Sequence, residues 1–293
     1  MIESQLYKVA DHVFGMELEE SMVAMLTNYE PFKVSEGEPL FVIRQVDASP
    51  ASAETMSHVF TDTSDDDMPR IEVYRNDEGR LFRVSVIKDS PICFEMWAPL
   101  DFSEAKLHIL PEQQNGRFAI DNAAMLMYAF RTATLHTLEM HASVIMKDGF
   151  AQLFLGHSGT GKSTHSRLWM EAYGDEAVLL NDDNPILRLL ASGEVRVYGS
   201  PWSGKTPCYK QLSAPVHGIV KLNQAPKNEI RRLGLPQAYA YMLSSASGLK
   251  IEPDMMDALY DTIAQIIQIT PMYHLDCLPD TDAARLCHDT LSK

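Results

Sequence analysis

The sequence predicts an α/β fold whose larger part is organised around a glycine-rich loop and whose first part is rich in β-strands. The first third contains short runs of β-branched and aromatic residues separated by turn signals. A long apolar helix pattern comes next. It is followed by an apolar strand, the glycine-rich loop, a second helix and another apolar strand. We therefore expect a β-rich domain in residues 1–115 and a larger α/β domain in residues 116–293.

The amino-acid composition indicates which kinds of binding partner this protein is not expected to have. The chain has 293 residues, 45% of them hydrophobic, which is enough to bury a sizeable core. Its 25 Lys and Arg face 40 Asp and Glu, a net charge of -15, so a nucleic-acid or anionic-membrane surface is not expected. No apolar run reaches the roughly 18 residues of a membrane span, and the N-terminus lacks a signal-peptide pattern. We expect a cytoplasmic protein whose four widely spaced cysteines are reduced structural thiols.

Four apolar runs predict strands in the first domain: FVIRQV, IEVYRN, LFRVSVI and CFEMWA. The intervening RNDEGR predicts a hairpin turn. The acidic stretch TDTSDDDMP matches no Ca²⁺-loop spacing, so we interpret it as a solvated connector. The apolar spacing from Ile120 to Met140 predicts one long, largely buried helix.

Two stretches match the phosphate-loop pattern G-x-x-x-x-G-K-[ST], in which backbone N–H groups cradle phosphates: GHSGTGKS and GSPWSGKT. The first has the required context, with strand FAQLFLG before it, helix KSTHSRLWMEAY after it and strand AVLLNDD beyond. A helix N-terminus there directs free N–H groups at a phosphate. The predicted nucleotide-binding residues are Gly156, His157, Ser158, Gly159, Thr160, Gly161, Lys162, Ser163 and Thr164.

The second match lacks this context. Pro207 directly after Thr206 disfavours the helical conformation that a phosphate loop needs at that point, and Pro201 removes one N–H. We expect a loop that does not hold the nucleotide. Trp202 and Lys205 are candidates for the acceptor side of the site, the alternative being an ordinary surface turn.

Two adjacent acids, Asp182 and Asp183, end the strand about twenty residues beyond Lys162, where phosphate-loop enzymes place a Mg²⁺-binding carboxylate. At a strand end both can turn toward one metal, so one acid can bind Mg²⁺ while the other orients or deprotonates an acceptor. The alternative is a simple Asn- and Asp-rich turn. His141 opens the strand that comes before the loop, fifteen residues ahead of Gly156, and from spacing alone a structural role is the better interpretation.

The segments MHASV, FLGHSGTGKST and LLNDDN, taken together, resemble the active-site strand, phosphate loop and paired acids of HPr kinase/phosphorylase and the phosphoenolpyruvate carboxykinases. The three motifs occur in the same order with closely similar separations. The resemblance covers roughly residues 139–201 and continues more weakly through PVHGIVKLNQ and IRRLG.

The resemblance implies a carboxykinase/HPr kinase-like phosphate-loop core with a mixed sheet rather than a purely parallel one. It implies that Lys162 contacts the β- and γ-phosphates of ATP and that Ser163 binds Mg²⁺, with Mn²⁺ as an alternative metal. Asp182 and Asp183 are then the metal ligand and the catalytic carboxylate in an unassigned order. His141 becomes a catalytic candidate near the metal or the acceptor.

The chain departs from both named enzymes. It is too short for a full carboxykinase, and PWSGKTPCYK stands where HPr kinase has an acidic, glycine-containing loop. We therefore expect a stand-alone HPr kinase-like protein that transfers a phosphoryl group from ATP to a hydroxyl of a protein, peptide or small molecule. The alternatives are a small carboxykinase-like transferase acting on an enolate and a non-catalytic nucleotide-binding regulator. Whether the chain forms a homo-oligomer is left open.

Overall fold

The computed structural model describes residues 1–62, 69–110, 115–204, 206–248 and 252–292. It is mixed α/β and divides into two units, Met1–Arg131 and Thr132–Lys293, each with its own mixed sheet. In the described part of the chain, no helix is long and apolar enough to cross a membrane. The acidic connector TDTSDDDMP lies mostly in residues 63–68, outside the described residues.

The first unit is built on one sheet of nine strands with the order β3-β1-β2-β4-β9-β8-β7-β6-β5. The strands are β1 (Ile2–Val9), β2 (His12–Glu19), β3 (Lys33–Val34), β4 (Val42–Gln45), β5 (Ser57–Asp62), β6 (Arg70–Arg75), β7 (Gly79–Ser85), β8 (Ile92–Pro99) and β9 (Glu104–Ile109). β4 runs parallel to β2 and β9, and the remaining pairs are antiparallel. All four predicted strands are present.

The predicted hairpin at RNDEGR joins β6 to β7. Its turn is held by the Asn76 side chain, whose Oδ1 accepts hydrogen bonds from the backbone N–H groups of Glu78 and Gly79, both at 3.0 Å. An Asn carbonyl that accepts from residues further along the turn replaces a missing backbone partner. The turn signal in the sequence therefore has a local physical cause.

The described part of the first unit also has two α-helices, the short α1 (Glu20–Val23) and the long α2 (Gly116–Thr132). α2 packs on the first sheet: the Tyr128 hydroxyl donates to the Val9 carbonyl at 2.9 Å, and the Phe130 ring stacks on Phe82. The boundary between the two compact units therefore falls after Arg131, whereas the sequence predicts it between residues 115 and 116.

The prediction of one helix from Ile120 to Met140 is wrong at its C-terminal end. α2 stops at Thr132, and His136 then adopts the left-handed conformation with φ of 51°. The next three residues form strand β10 (Thr137–Glu139), which pairs with a strand much later in the chain. The apolar spacing continues through this break, but long-range strand pairing outweighs helix propensity there.

Among its described residues, the second unit contains another nine-stranded sheet and four α-helices. The further strands are β11 (Ala142–Lys147), β12 (Phe150–Leu155), β13 (Ala177–Asp183), β14 (Ile186–Leu189), β15 (Val195–Tyr198), β16 (Ser213–Gln224), β17 (Glu229–Arg232) and β18 (Met272–Cys277). The main path is β10-β14-β15-β16-β12-β11-β13, with β18 also paired to β16 and β17 paired to β18. The helices are α3 (Lys162–Tyr173), α4 (Leu235–Ser245), α5 (Pro253–Ile269) and α6 (Thr281–Leu291).

Helices cover both faces of this second sheet. On one face, α4 and α5 supply Met242, Leu259 and Ile263 to a core that includes the sheet residue Leu153. On the other face, α3 and α6 pack through a second core. A strand that is buried on both faces becomes a nearly continuous apolar run, which explains why FAQLFLG has no polar alternation.

Strand direction brings five strand termini to one edge of the second sheet. β11 lies between β12 and β13 and runs antiparallel to both, so its start lies beside their ends. In register, Ala142 is opposite both Leu155 and Asp183. β16 and β18 run parallel to β12 and end at the same edge. We call this the phosphate-loop edge, because the predicted loop follows Leu155 there.

Candidate functional site

The predicted phosphate loop connects β12 to α3, and helix α3 has the same bounds that the sequence predicts. Gly159 and Gly161 have φ angles of 76° and 104°, which side-chain-bearing residues rarely adopt. Gly156 is close to Thr160, since a Cβ there would lie 2.9 Å from the Thr160 Cβ. Backbone conformation therefore favours glycine at the second and third positions of the pattern, and the close Thr160 side chain favours it at the first.

The start of α3 carries no side-chain cap. Gly161 is the residue before the helix, and the N–H groups of the first helical turn have no intrahelical acceptor in any α-helix. These groups, with the positive end of the helix dipole, form an environment that favours an anion. Ser163 and Thr164 lie in this first turn, with Ser163 exposed.

Lys162 is nearly buried and its ammonium turns back over the loop. The Nζ atom lies 2.9 Å from His141 Nε2 and donates to the Gly156 carbonyl at 3.0 Å. Burial lowers the pKa of Lys162 from its ordinary value, while the charges of Asp183 and Asp182 act in the opposite direction. The ammonium is thus a cation held by weak neutral acceptors, and a phosphate oxygen would be a stronger partner.

His141 occupies the position between the cation and the acids. The same Nε2 atom that contacts Lys162 lies 3.3 Å from Asp183 Oδ1. The pKa of His141 is lowered, first by burial and then by the positive charge of Lys162. A neutral Nε2 accepts from Lys162, whereas a protonated Nε2 donates to Asp183. The register of β11 therefore supplies the placement that spacing alone left undecided.

The two acids differ in exposure and in backbone conformation. Asp182 is 4% exposed, whereas the side chain of Asp183 is 40% exposed. Asp183 has a φ angle of 126°, an unfavourable conformation for a residue with a side chain. Such conformations persist when neighbouring structure determines them, and here the Gly204 N–H donates to the Asp182 carbonyl at 2.7 Å while Asp183 forms a backbone bridge to Ser203.

The second match, GSPWSGKT, lies beside these acids and leads into strand β16, not into a helix. Asn181 fixes it, since its amide donates to Ser200 Oγ and to the Trp202 carbonyl, both at 3.1 Å. Trp202 is 2% exposed, so its ring is buried rather than presented to an acceptor. Lys205 lies outside the described residues.

Glu139 was not among the residues selected from the sequence, and the structure places it close to the acids. It is 3% exposed, and its Oε2 has no hydrogen-bond partner in the described part of the chain. Burial, with a further contribution from the charge of Asp183, raises the pKa of Glu139 to about 8. One sequence feature could have drawn attention to Glu139: it is an acid in a mainly apolar stretch, two residues before His141.

Gln224 is a second residue that the sequence did not indicate. Its side-chain amide donates to the carbonyls of Gly159 and Thr160 at 3.2 and 3.3 Å. A polar residue at the end of a strand carries no motif, so only the parallel pairing of β16 with β12 reveals this contact.

The donor set indicates what kind of metal the site could hold. Within the described ranges, no group of three or more His, Cys, Asp or Glu side chains is arranged to hold a metal ion. Two adjacent carboxylates and a serine hydroxyl instead suit Mg²⁺, which keeps several waters and is usually bound through one or two carboxylates plus substrate phosphates. Ser163, Asp182 and Asp183 fit that requirement chemically.

Comparison with models of known protein families gives no match for this chain, and comparison with curated proteins finds no similar sequence.

Proposed function

We propose that this chain is an HPr kinase-like phosphotransferase that moves the γ-phosphoryl group of ATP, with Mg²⁺, to a hydroxyl acceptor. The observation that supports the proposal is the meeting of Lys162, His141 and Asp183 at the end of a glycine-rich loop whose second and third glycines have positive φ angles. A nucleotide-binding protein without turnover needs the loop and the cation. It does not need an imidazole between that cation and a strained carboxylate.

The loop would bind the phosphates through backbone N–H groups of residue 159 and of residues 161–164, together with the α3 dipole. Lys162 would exchange its contacts with His141 and the Gly156 carbonyl for phosphate oxygens, which are charged and accept stronger hydrogen bonds. Ser163 and Asp182 would hold Mg²⁺, which supplies positive charge to the phosphate oxygens when bound.

Asp183 is the better general base of the two acids because it is more exposed and contacts His141. The acceptor hydroxyl oxygen would attack the γ-phosphorus while the bond from that phosphorus to the β,γ-bridging oxygen breaks. The hydroxyl proton would pass to the Asp183 carboxylate, and ADP would leave. His141, released by Lys162, can then donate to Asp183 and hold its orientation.

Label transfer tests the proposal. The protein is incubated with Mg²⁺, γ-labelled ATP and a cell extract, and we expect a protein or small molecule of the extract to become labelled. Lys162→Ala should abolish labelling, and Lys33→Ala, which removes a surface lysine paired with Glu30 in the first unit, should not. Nucleotide binding without labelled product in any fraction would favour the regulator. Labelled phosphoenolpyruvate as the product would favour the enolate reaction.

A further inference from the structure

Gln224 joins the end of one strand to the backbone of the phosphate loop. β16 runs parallel to β12 with Lys221 opposite Leu155, so β16 continues past the point where β12 ends. The backbone of Gln224 is fixed there by its pairing with Cys277 of β18. Its side chain, although exposed, donates to two consecutive loop carbonyls, those of Gly159 and Thr160.

Each of these hydrogen bonds fixes a peptide plane. In a planar trans peptide the C=O and the following N–H point in opposite directions. Holding the Thr160 carbonyl therefore turns the Gly161 N–H away from Gln224. Holding the Gly159 carbonyl does the same for the Thr160 N–H, which donates to the His157 carbonyl at 3.2 Å. Gly159 and Gly161 would otherwise allow these peptides to rotate easily, because a residue without a Cβ reaches a wider range of backbone angles than any other.

We propose that Gln224 is a positioning residue of the nucleotide site, which holds the phosphate loop in its binding conformation before the nucleotide arrives. This inference rests on the proposed function. Gln224 does not touch the phosphates in this role; it acts through the loop carbonyls and lowers the conformational cost of binding. The ligand whose binding it assists is a nucleoside di- or triphosphate, because the peptides that Gln224 holds lie directly before Lys162 in the loop proposed to bind the phosphates.

The test compares Gln224→Ala with a matched control, Gln268→Ala. Gln268 is also exposed and donates to one backbone carbonyl, that of Ala264 at 3.0 Å, near the end of α5. It lies shortly before β18 begins at Met272, at the opposite edge of the sheet. Mg·ADP is the probe, since it binds without turnover. We expect Gln224→Ala to raise its Kd about tenfold, as two modest hydrogen bonds are lost. Gln268→Ala should leave the Kd within about twofold.

A second readout separates positioning from general stability. Hydrogen exchange of the loop amides in residues 156–163, measured without nucleotide, should be faster in Gln224→Ala than in Gln268→Ala. The midpoint of thermal unfolding should be the same for both variants. Gln224→Glu keeps the size but loses both donors and places a carboxylate against two carbonyl oxygens. It should therefore weaken Mg·ADP binding more than Gln224→Ala does.

The outcomes are distinguishable. If Lys162→Ala abolishes Mg·ADP binding while Gln224→Ala binds like Gln268→Ala with unchanged loop exchange, the positioning role is wrong and the proposed function stands. If the wild-type protein binds neither Mg·ADP nor Mg·ATP, both proposals are wrong. The inference would also be overturned if Gln224→Ala lowered the midpoint of thermal unfolding along with the Mg·ADP affinity, and Gln224→Glu bound Mg·ADP no more weakly than Gln224→Ala. Gln224 would then be a structural residue.

Discussion

The hydrogen bond between Lys162 and His141 places a cation and a pH-sensitive side chain in one contact. Only one of the two neighbours of His141 Nε2 can be satisfied at a time: Lys162 when the ring nitrogen is bare, Asp183 when it carries a proton. The protonation state of Nε2 therefore decides whether His141 is hydrogen bonded to the cation or to the carboxylate.

His141→Ala should lower turnover by about two to four orders of magnitude, because it removes a group that orients or assists the base. His141→Gln keeps an acceptor oxygen for Lys162 and should recover part of the loss. The control is His217→Ala, which removes a ring packed on Phe150 at the opposite edge of the sheet. Turnover at saturating ATP and acceptor is the measurement, and specific activity equal to the control would return His141 to a structural role.

Asp182→Asn and Asp183→Asn should each abolish phosphoryl transfer while the fold survives, since each change keeps the shape and removes a charge. Asp182→Asn should also weaken Mg²⁺-dependent ATP binding. Asp148→Asn is the control, because Asp148 also has a positive φ, of 54°, but lies in the β11–β12 turn at the opposite edge. Normal turnover in both site variants would contradict the assignment of the acids.

At the scale of the elements, the loop depends on backbone conformations that only glycine adopts easily. Gly161→Ala and Gly149→Ala form a matched pair: φ is 104° at one and 81° at the other, and neither Cβ would meet an atom within 4 Å. Each substitution should cost about 1 kcal/mol of unfolding free energy. Only Gly161→Ala should weaken Mg·ADP binding, measured by titration. An equal effect of both on binding would show that loop conformation does not matter.

Helix α3 packs on the sheet through a buried histidine. His165 is 2% exposed, accepts from Trp169 Nε1 at 3.1 Å, and its Nδ1 has no hydrogen-bond partner among the described residues. Burial lowers the pKa of His165 to about 4. The folded protein thus keeps the imidazole neutral at pH values where the unfolded chain takes up a proton.

The sign of the resulting pH dependence follows from linkage. The contribution of His165 to stability is fully present above pH 6.5, the ordinary histidine value, and is lost as pH falls toward 4. Between pH 7 and pH 5 the loss should be about 2 kcal/mol. His165→Gln keeps an acceptor for Trp169 but does not titrate, so urea unfolding should show a smaller loss in this variant. Equal losses in variant and wild type would mean that His165 is not the group responsible.

At the scale of the whole molecule, every described residue assigned to the site lies in the second unit, whose two cores are formed by its own strands and helices. A chain of residues 132–293 should therefore fold and bind Mg·ATP within about threefold of the full protein, since no assigned contact is removed. Circular dichroism and calorimetric titration provide the measurement. An unfolded fragment would show that the second unit depends on the first.

A chain of residues 116–293 is the informative comparison. It carries α2 without the sheet on which Tyr128 and Phe130 pack, and so exposes an apolar helix face. This longer chain should be more prone to aggregate than the shorter one, as light scattering would detect. If the longer chain instead aggregates less than the shorter one, the boundary lies near 115/116, as the sequence predicts.

The sequence by itself determined the features whose causes are local. Helix α3 and strands β12 and β13 follow from apolar spacing and from a glycine loop that needs special backbone angles. The pair Asp182 and Asp183 stands at a strand end that an apolar run defines. These predictions need only neighbouring residues, because a 3.6- or 2-residue period and a left-handed φ are properties of a short segment.

The tertiary structure alone decided which distant residues meet. The end of α2 at Thr132, the burial of Glu139, and the contacts of His141 and Gln224 all arise from pairing between strands far apart in the chain. A strand shifted by one residue turns each side chain to the other face, so no local pattern fixes such contacts. The glycine-rich loop could therefore be recognised in the sequence, whereas the contact of the His141 imidazole with Lys162 depends on the register of β11 between β12 and β13.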